Sequence, residues 1–328
     1  MTTTRAGARP RIARRAVHGV LLLDKDAGTS SNAALQRAKR LYRAEKAGHT
    51  GTLDPLASGL LPLCFGAATK FAQASLDADK RYLATLRLGV TTTTGDLEGE
   101  VVRTVAVVDV DRAALERACA QFVGAIEQVP PMHSALKRDG KPLYEYARAG
   151  IEVERAPRRV LIHSIRVVDG SADLWTIDVS CSKGTYIRTL GEDIGAALGC
   201  GAHLAALRRS ASGALDLAAA ARFAELDGLA EGELDARLLP PDALVAALPR
   251  IVLSDDDAGR FLAGVRRRLP LADAPAVRVY GPDAGAFLGT GHVAAGELIA
   301  TRLLSPAEVG DLVAAERRPL PVSESLSA

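Results

Sequence analysis

The residues best suited to chemistry are concentrated between positions 47 and 62. The twelve residues 48–59 include His49, Asp54, two threonines and three glycines. Glycine allows backbone shapes and close approaches that other residues forbid, so the segment favours a shaped loop over a core element. Asp54-Pro55 is also typical of a helix start, with aspartate as the cap and proline as the first helical residue. The segment lacks the G-x-x-x-x-G-K-[ST] pattern of a phosphate-binding loop.

A second chemically suggestive residue is Arg188, near the start of a helix predicted over 186–198. Thr185 is placed to cap this helix. The core stripe of the helix is formed by four apolar residues, Ile187, Leu190, Ile194 and Leu198. Arg188 leaves the first turn away from that stripe, where a cation opposes the helix dipole by roughly a few tenths of a kcal/mol. Its position therefore indicates a specific anionic partner.

Periodicity predicts the elements that must hold these residues. Strict alternation of apolar and polar residues predicts strands at 81–89 and 175–182, and shorter patterns predict strands at 19–24 and 160–168. Helices are predicted at 31–43, 112–123 and 186–198, the first capped by Ser30 or Ser31. Alternating strands suit a sheet with one solvated face, which is usually antiparallel or mixed. The predicted class is α+β, with a mixed, largely antiparallel central sheet and flanking helices.

The chain also divides along its length. Its 328 residues correspond to about two domains. A basic, flexible tail is predicted over 1–17, a catalytic domain over 18–248 and a small β-rich domain over 249–305. A C-terminal tail is predicted over 306–328, beginning with a short helix. The segment 128–159 carries seven basic residues against four acidic ones and is predicted to be a long ordered insertion. Such insertions are often binding loops.

Composition limits the class of protein. Hydrophobic residues make up 48% and charged residues 24% of the chain, which excludes general disorder. The net charge of +2 does not by itself indicate nucleic acid. Four cysteines without zinc-ligand spacing predict reduced thiols in a cytoplasmic protein with no metal. No apolar run reaches the roughly 18 residues of a membrane helix, and neither a secretory signal nor a membrane partner is expected.

The segment Gly48-His-Thr-Gly-Thr-Leu-Asp54-Pro-Leu-Ala-Ser-Gly59 resembles the catalytic motif of the TruB family, the bacterial tRNA pseudouridine-55 synthases. Further stretches resemble other motifs of this family, in the family's order and over about residues 18–215: Gly19–Lys25, Asp79–Tyr82, Gln128–Arg148, Cys181–Leu190 and Gly199–Arg209. Two residues depart from the family pattern. Asp26 stands where the family usually has proline, and His133 stands where an aromatic residue is more common.

The resemblance implies a pseudouridine synthase fold followed by a PUA-like RNA-binding domain. It also implies isomerisation of uridine 55 in the T-loop of tRNA. This reaction is redox-neutral, so no cofactor is expected. The expected partner is tRNA, held by its T-arm, with the acceptor stem as a further candidate contact. No heptad or apolar stripe calls for a dimer, and we expect a monomer that needs no protein partner.

Residue roles also follow from the resemblance. Asp54 corresponds to the catalytic aspartate, and Arg188 to the arginine that pairs with it. Tyr82 corresponds to the tyrosine that packs on the target base and takes part in proton transfer. His49 is expected to fill the space that the flipped base leaves. Further substrate contacts are expected from four residues, Tyr186, Leu207, Lys25 and Lys137.

Two alternatives stay open at this point. The first is a tRNA-folding chaperone in which catalysis is secondary or absent. The second is a guide-RNA-dependent relative that acts on ribosomal RNA, against which the long basic insertion argues. Arg37, Lys39, Arg40 and Arg43 lie off the apolar face of the first predicted helix. They are either a solvated helix face or a surface for RNA phosphates.

Overall fold

The chain forms a mixed α+β structure, which we describe from a computed structural model over residues 13–282 and 286–316. The first elements in chain order are β1 (Gly19–Lys25), α1 (Ser31–Leu41), β2 (Ala47–His49), β3 (Ser58–Phe65), α2 (Ala72–Asp77), β4 (Lys80–Leu88), β5 (Val90–Thr92), β6 (Val101–Thr104), α3 (Arg112–Ala120) and β7 (Gly124–Gln128). The next are β8 (Lys137–Arg138), β9 (Lys141–Pro142), α4 (Leu143–Arg148), β10 (Arg158–Ser171), β11 (Leu174–Cys181), α5 (Ile187–Ala197), β12 (Ala202–Ser212), β13 (Leu215–Asp216), α6 (Phe223–Leu226) and α7 (Glu231–Asp235).

Most of these strands join one sheet, in the spatial order β1-β3-β12-β4-β11-β10-β7 over the described residues, with β2 beside β3 and β13 beside β12. The β12–β3 pair is parallel, and the other pairs are antiparallel. The predicted mixed, largely antiparallel sheet is therefore confirmed. The parallel pair brings Arg209 of β12 opposite Gly59 of β3.

Two apolar cores cover the same face of this sheet. One contains Ala84, Leu86 and Leu88 of β4 and packs under α3 and α5. The other packs between α1 and the β1–β3 pair. Tyr82 and Leu207 contact both cores, so they lie where the two cores meet. The alternation of β4 thus has the predicted phase, with Tyr82 on the inner face.

A second, smaller sheet follows the catalytic part. Its elements are β14 (Arg250–Val252), α8 (Asp255–Leu262), β15 (Arg267–Arg268), β16 (Ala274–Tyr280), β17 (Phe287–Ala294), β18 (Glu297–Leu303) and α9 (Pro306–Glu316). Within the described ranges the strands have the order β14-β16-β17-β18-β15. This agrees with the predicted β-rich domain. Tyr280 and Phe287 share an apolar cluster with Val20 and Leu22 of β1, which joins the two parts of the chain.

Three local predictions need correction. The flexible tail predicted over 1–17 is wrong for its last residues, because Arg15 makes two hydrogen bonds to Asp235 (2.8 and 2.6 Å) and Val17 is buried. Residues 1–12 lie outside the described part of the chain. The segment 306–328 begins with a helix, α9, as predicted, but Val309 and Leu312 of this helix pack on the core, so the term tail is wrong for residues 306–316. Residues 317–328 again lie outside the described part.

The third correction concerns Thr185, which does not cap α5. Its hydroxyl instead donates to the carbonyl oxygen of Ser182 at 2.9 Å. The cap position is occupied by Tyr186, without a side-chain capping bond. At α1 the prediction is confirmed, since Ser30 accepts a hydrogen bond from the Ala33 amide at 3.1 Å.

Candidate active site

The segment between β2 and β3, residues 50–57, forms a loop that carries Asp54; we call it the Asp54 loop. Ser31 of α1 fixes this loop from one side, because its hydroxyl donates to the Leu53 carbonyl (2.9 Å) and accepts from the Leu53 amide (2.8 Å). The Gly28 amide donates to the carbonyl of Pro55 at 2.8 Å. No helix begins at Asp54-Pro55, and β3 follows directly. The capping interpretation of this dipeptide is therefore wrong.

The Asp54 carboxylate is paired with the guanidinium of Arg188. Its Oδ2 lies 3.0 Å from Nη2 of Arg188, whose side chain is 6% exposed, whereas that of Asp54 is 41% exposed. The predicted pair is thus formed, with a buried cation and a carboxylate open to one side. Arg188 also donates to two backbone carbonyls, those of Thr94 (3.2 Å) and His133 (2.6 Å). Such bonds fix the guanidinium in one orientation.

A second carboxylate shares this arginine. Asp96 is 2% exposed, and its Oδ2 lies 3.4 Å from Nη1 of Arg188. Its other oxygen accepts from the hydroxyl of Thr94 (2.5 Å) and the amide of Glu98 (3.0 Å). Asp96 was not predicted from the sequence, because Gly95-Asp96 has the composition of an ordinary turn. Only the pairing of this turn with β12, through Leu204, brings it to Arg188.

The electrostatics of Asp54 are set chiefly by three opposing causes. Burial in the cleft raises the pKa of the carboxyl, Arg188 lowers it, and the negative charge of Asp96 raises it again. The net result is a pKa above the ordinary value of an aspartate. Such a carboxylate is more basic than one on the surface, which suits a group that must attack or accept a proton.

Tyr82 and Leu207 lie where the two apolar cores meet, and Tyr82 is close enough to Asp54 for the aspartate charge to raise its pKa. They lie on adjacent strands, β4 and β12, where Leu207 is opposite Ala84 and Tyr82 is opposite Arg209. Both side chains are half-buried between the two cores. Burial raises the pKa of Tyr82, and the nearby charge of Asp54 acts in the same direction. The hydroxyl is therefore held in its protonated form at neutral pH.

Tyr186 stands at the start of α5, two residues before Arg188. Its amide donates to Oε1 of Gln128 (3.0 Å), and its carbonyl accepts from Nε2 of the same side chain (3.3 Å). Gln128 is buried at the end of β7, where the insertion begins. Burial raises the pKa of the Tyr186 phenol. The role of Gln128, which binds the backbone of Tyr186 at the start of α5, was not predicted from the sequence.

The sequence matches three family models along its length. They are described as the N-terminal domain of TruB family pseudouridylate synthase (residues 39–187), the tRNA pseudouridylate synthase B C-terminal domain (188–246) and Pseudouridine synthase II TruB, C-terminal (249–304). The chain is also 56% identical to tRNA pseudouridine synthase B of Verminephrobacter eiseniae, over 94% of this chain and 95% of that one. It is 57% identical to the protein of the same name from Cupriavidus metallidurans, over 93% and 99%.

The chain belongs to the TruB family of tRNA pseudouridine synthases. The predicted family and enzyme class, an isomerase that acts on tRNA, are thereby confirmed. Solved structures agree on the fold. A chain in the crystal structure of a Cbf5-Nop10-Gar1 complex aligns with a TM-score of 0.66 and 26% identity, over 88% of this chain and 84% of that one. A chain of an H/ACA RNP bound to a substrate RNA containing 2'-deoxyuridine aligns with a TM-score of 0.67 and 23% identity, over 89% and 86%.

In this TruB family member, His49 and Lys25 lie beside the Asp54 loop. His49 ends β2 and is half-buried, and its Nδ1 has no hydrogen-bond partner among the described residues. Burial and then the charge of Arg209 lower its pKa, so the imidazole is neutral at pH 7. Lys25 is buried, and its ammonium group donates to the carbonyls of Asp26 (2.9 Å) and Thr29 (2.6 Å).

A contact with the RNA backbone would require an exposed lysine, whereas Lys25 is buried. Burial lowers its pKa to about 8, while the charges of Asp26, Asp54 and Glu98 oppose that change. Its charge lowers the pKa of Asp54 and so favours the ionised carboxylate.

Lys137 belongs to a different part of the TruB family structure. It is exposed on the β8–β9 hairpin of the insertion, and its side chain makes no hydrogen bond or ion pair within residues 13–282 and 286–316. The insertion nevertheless reaches the site, since the carbonyl of His133 is bound by Arg188. The insertion is ordered, as predicted, and contains α4.

Arg37 of α1 and Arg43, which follows the end of α1, are engaged within the protein. Arg37 pairs with Asp227 at 2.5 Å and stacks over the ring of Phe223. Arg43 pairs with Glu231. Both pairs are exposed.

Two general features complete the description. Within the described ranges, no group of three or more His, Cys, Asp or Glu side chains is arranged to hold a metal ion. No helix in this part of the chain is long and apolar enough to cross a membrane.

Proposed function

We propose that this protein isomerises uridine 55 in the T-loop of tRNA to pseudouridine. The observation that carries the proposal is the half-open Asp54 carboxylate, held 3.0 Å from buried Arg188 and near Tyr82. The level of identity also supports tRNA as the substrate. The chain is 56–57% identical to tRNA pseudouridine synthases B, whereas it is 23% identical to the chain of the H/ACA RNP.

The reaction exchanges one glycosidic bond for another. The N1–C1′ bond of the uridine breaks, the uracil turns, and C5 bonds to C1′. A proton then leaves C5, and N1 ends with a proton. Asp54 must be ionised to begin this sequence, and Arg188 favours its charged form. The carboxylate adds to C1′ or C6, or assists formation of a glycal intermediate.

The target base must leave the folded RNA before Asp54 can reach it. Extrusion costs about a few kcal/mol of lost stacking and pairing. We place the flipped uracil between Tyr82 and Leu207, with Tyr186 at the edge of the same pocket. His49 fills the vacated space, a role that suits a neutral imidazole because the ring can stack on bases.

Binding of tRNA would use surfaces outside the cleft. We assign the T-arm to the insertion 128–159, with Lys137 contacting the RNA backbone, and the acceptor stem to the β-rich domain. Contacts between arginine or lysine and phosphate would make affinity strongly dependent on salt. We further propose that the protein acts in the cytoplasm as a monomer without a protein partner, and that the redox-neutral reaction needs no cofactor.

The test is incubation of the purified protein with an unmodified tRNA transcript, without cofactor, and mapping of pseudouridine at single-nucleotide resolution. Modification at position 55 alone is expected. Asp54→Asn should lower the rate at least ~10³-fold and change tRNA affinity only a few-fold. The exposed carboxylate of Asp26 provides a control, since Asp26→Asn should keep the rate.

Normal turnover by Asp54→Asn would refute the catalytic assignment. Modification at another position would refute the choice of uridine 55 and leave the enzyme class intact. The chaperone alternative predicts that Asp54→Asn still promotes tRNA folding, which a folding assay with the same variant can measure.

A further inference from the structure

Arg209 is a buried cation behind the candidate active site. Its side chain is among the largest fully buried ones, with 1% of the residue exposed. No carboxylate within the described residues forms an ion pair with it, whereas the adjacent Arg208 pairs with Asp24 at 2.7 Å. A buried charge without a counter-charge is costly unless its hydrogen bonds satisfy it. The location of those bonds therefore indicates what the residue does.

The guanidinium binds both ends of the Asp54 loop. Nη2 donates to the carbonyl of Gly51, near the start of the loop, at 3.1 Å. Nε donates to the carbonyl of Leu60, just after the loop, at 2.7 Å. The backbone of Arg209 also pairs with Gly59 in the parallel β12–β3 register. One residue thus contacts the chain on either side of Asp54.

Two glycines make room for this arrangement. Gly51 has a φ of +77°, and a Cβ added there would lie 3.2 Å from Nη1 of Arg209. Gly59 has a φ of +96°, and a Cβ added there would lie 2.3 Å from the carbonyl oxygen of Arg209. Both positions therefore require glycine, for backbone conformation and for space. The Asp54 loop is built closely around this arginine.

The charge of Arg209 also reaches two side chains assigned to the substrate. It adds to burial in lowering the pKa of His49. It opposes burial at Tyr82, where the nearby guanidinium lowers the pKa of the phenol. Arg209 therefore connects the loop that carries Asp54 with the two side chains that we place around the flipped base.

We propose that Arg209 is a positioning residue of the reaction, which clamps both ends of the Asp54 loop and supplies a fixed positive charge behind His49 and Tyr82. This inference rests on the proposed function, because it takes Asp54 as the reacting group. According to this inference, the reaction requires a planar, charged side chain at position 209, although this side chain does not touch the substrate. A lysine would keep the charge but lose the two-point grip.

The experiment compares variants by the single-turnover rate of tritium release from tRNA labelled at C5 of uridine, by the Kd for tRNA and by NMR titration of His49. Arg209→Met should lower the rate about 10²-fold, as expected for a displaced catalytic group, and leave the Kd within about threefold. The pKa of His49 should rise in this variant. Arg209→Lys should restore the His49 titration and only part of the rate.

Arg208→Lys is the matched control, because it changes the neighbouring arginine, which pairs with Asp24, and should leave rate and titration unchanged. If Arg209→Met does not fold, Gly51→Ala replaces it as the test variant. The added methyl group crowds Nη1 of Arg209 without removing the charge, so it should lower the rate and leave the His49 titration unchanged. The proposal would be overturned if folded Arg209→Met kept a rate within about threefold of wild type, or if its His49 titration were unchanged. If Arg209→Met does not fold, a rate within about threefold of wild type in Gly51→Ala would overturn it. Failure of the wild type to modify uridine 55 would count against the proposed function and not against this inference.

Discussion

Two clusters of arginine and aspartate in this protein use the same groups in opposite arrangements. In the cleft, buried Arg188 lies between two carboxylates, Asp54 and Asp96. On the outer face of the main sheet, away from α3 and α5, Asp178 lies between the exposed Arg81 and Arg166 and is itself 7% exposed. The cleft cluster has one more negative than positive charge, and the outer cluster has one more positive.

The carboxyl groups respond in opposite directions. Hydrogen bonds from Arg81 and Arg166 lower the pKa of Asp178, against the effect of burial. Burial and the second carboxylate raise the pKa of Asp54, against the effect of Arg188. The outer cluster therefore stabilises its carboxylate fully, while the cleft leaves Asp54 less stabilised and more basic. Sites that carry out chemistry commonly show this pattern, because reactivity requires a group that its surroundings have not satisfied.

The largest expected effect comes from removing the shared cation of the cleft. Arg188→Met should lower the single-turnover rate at least ~10²-fold, because Asp54 loses the partner that orients it. It should also lower the free energy of unfolding by about 3 kcal/mol, because Asp96 stays buried without a counter-charge. Urea denaturation and the tritium-release assay measure the two quantities on the same preparation. Affinity for tRNA should change much less than the rate.

A double variant separates these two effects. Arg188→Met with Asp96→Asn removes the uncompensated charge, so stability should return most of the way while activity stays low. Recovery of both would mean that Arg188 acts only through folding. If neither stability nor activity returned, the burial of Asp96 would not be the reason that Arg188 is needed for stability.

The second prediction concerns pH. The reaction needs ionised Asp54, so kcat/KM should fall as pH drops through the pKa of this group. Because that pKa is raised, the fall should begin at a higher pH than for an ordinary aspartate, whose pKa is about 3.9. Asp96→Asn removes one of the causes that raise it and should shift this acid limb to lower pH. A shift to higher pH would show that Asp96 acts on Asp54 chiefly through the position of Arg188.

The third prediction concerns the outer cluster. Asp178→Asn should keep the rate within about twofold and lower stability by about 1 kcal/mol at pH 7, since its arginine partners are exposed. A carboxyl group with a lowered pKa stabilises the fold above its unfolded pKa of about 3.9. The difference from wild type should therefore shrink as pH falls through the lower, folded pKa. A large loss of activity would mean that this face takes part in the reaction.

The fold was predictable wherever local pattern and burial agree. The alternation in β4 places Tyr82 and Arg81 on opposite faces, and the continuous apolar run of β1 matches a strand with every residue buried. The cap of α5 was not predicted correctly, because the helix begins at Ile187 and its cap position falls on Tyr186, one residue after Thr185. The residue at which a helix begins is decided by the backbone path, which the sequence pattern does not specify.

The candidate site likewise contains residues that were predicted from the sequence and residues that were not. The pairing of Asp54 with Arg188 was expected from motif resemblance and from an arginine placed against a helix dipole. Asp96, Gln128 and Arg209 were missed, because each acts through contacts with segments distant in sequence. A buried arginine in a strand carries no local signal, and only the parallel pairing of β12 with β3 brings Arg209 to Gly59. Residues that position a site are harder to predict than residues that react.

The smallest expected effect lies at the surface arginines of α1 and of the turn that follows it. Changing Arg37, Arg40 and Arg43 together to glutamine should chiefly weaken tRNA binding, by no more than about tenfold, and leave the rate at saturating tRNA unchanged. The effect is limited because Arg37 and Arg43 already have acidic partners, which a phosphate must displace. The same pairs provide a counter-variant. Asp227→Asn with Glu231→Gln frees both arginines and should tighten binding and steepen its dependence on salt. If neither variant changes the affinity or the salt dependence, α1 does not face the RNA, and its arginines serve only to hold α6 and α7.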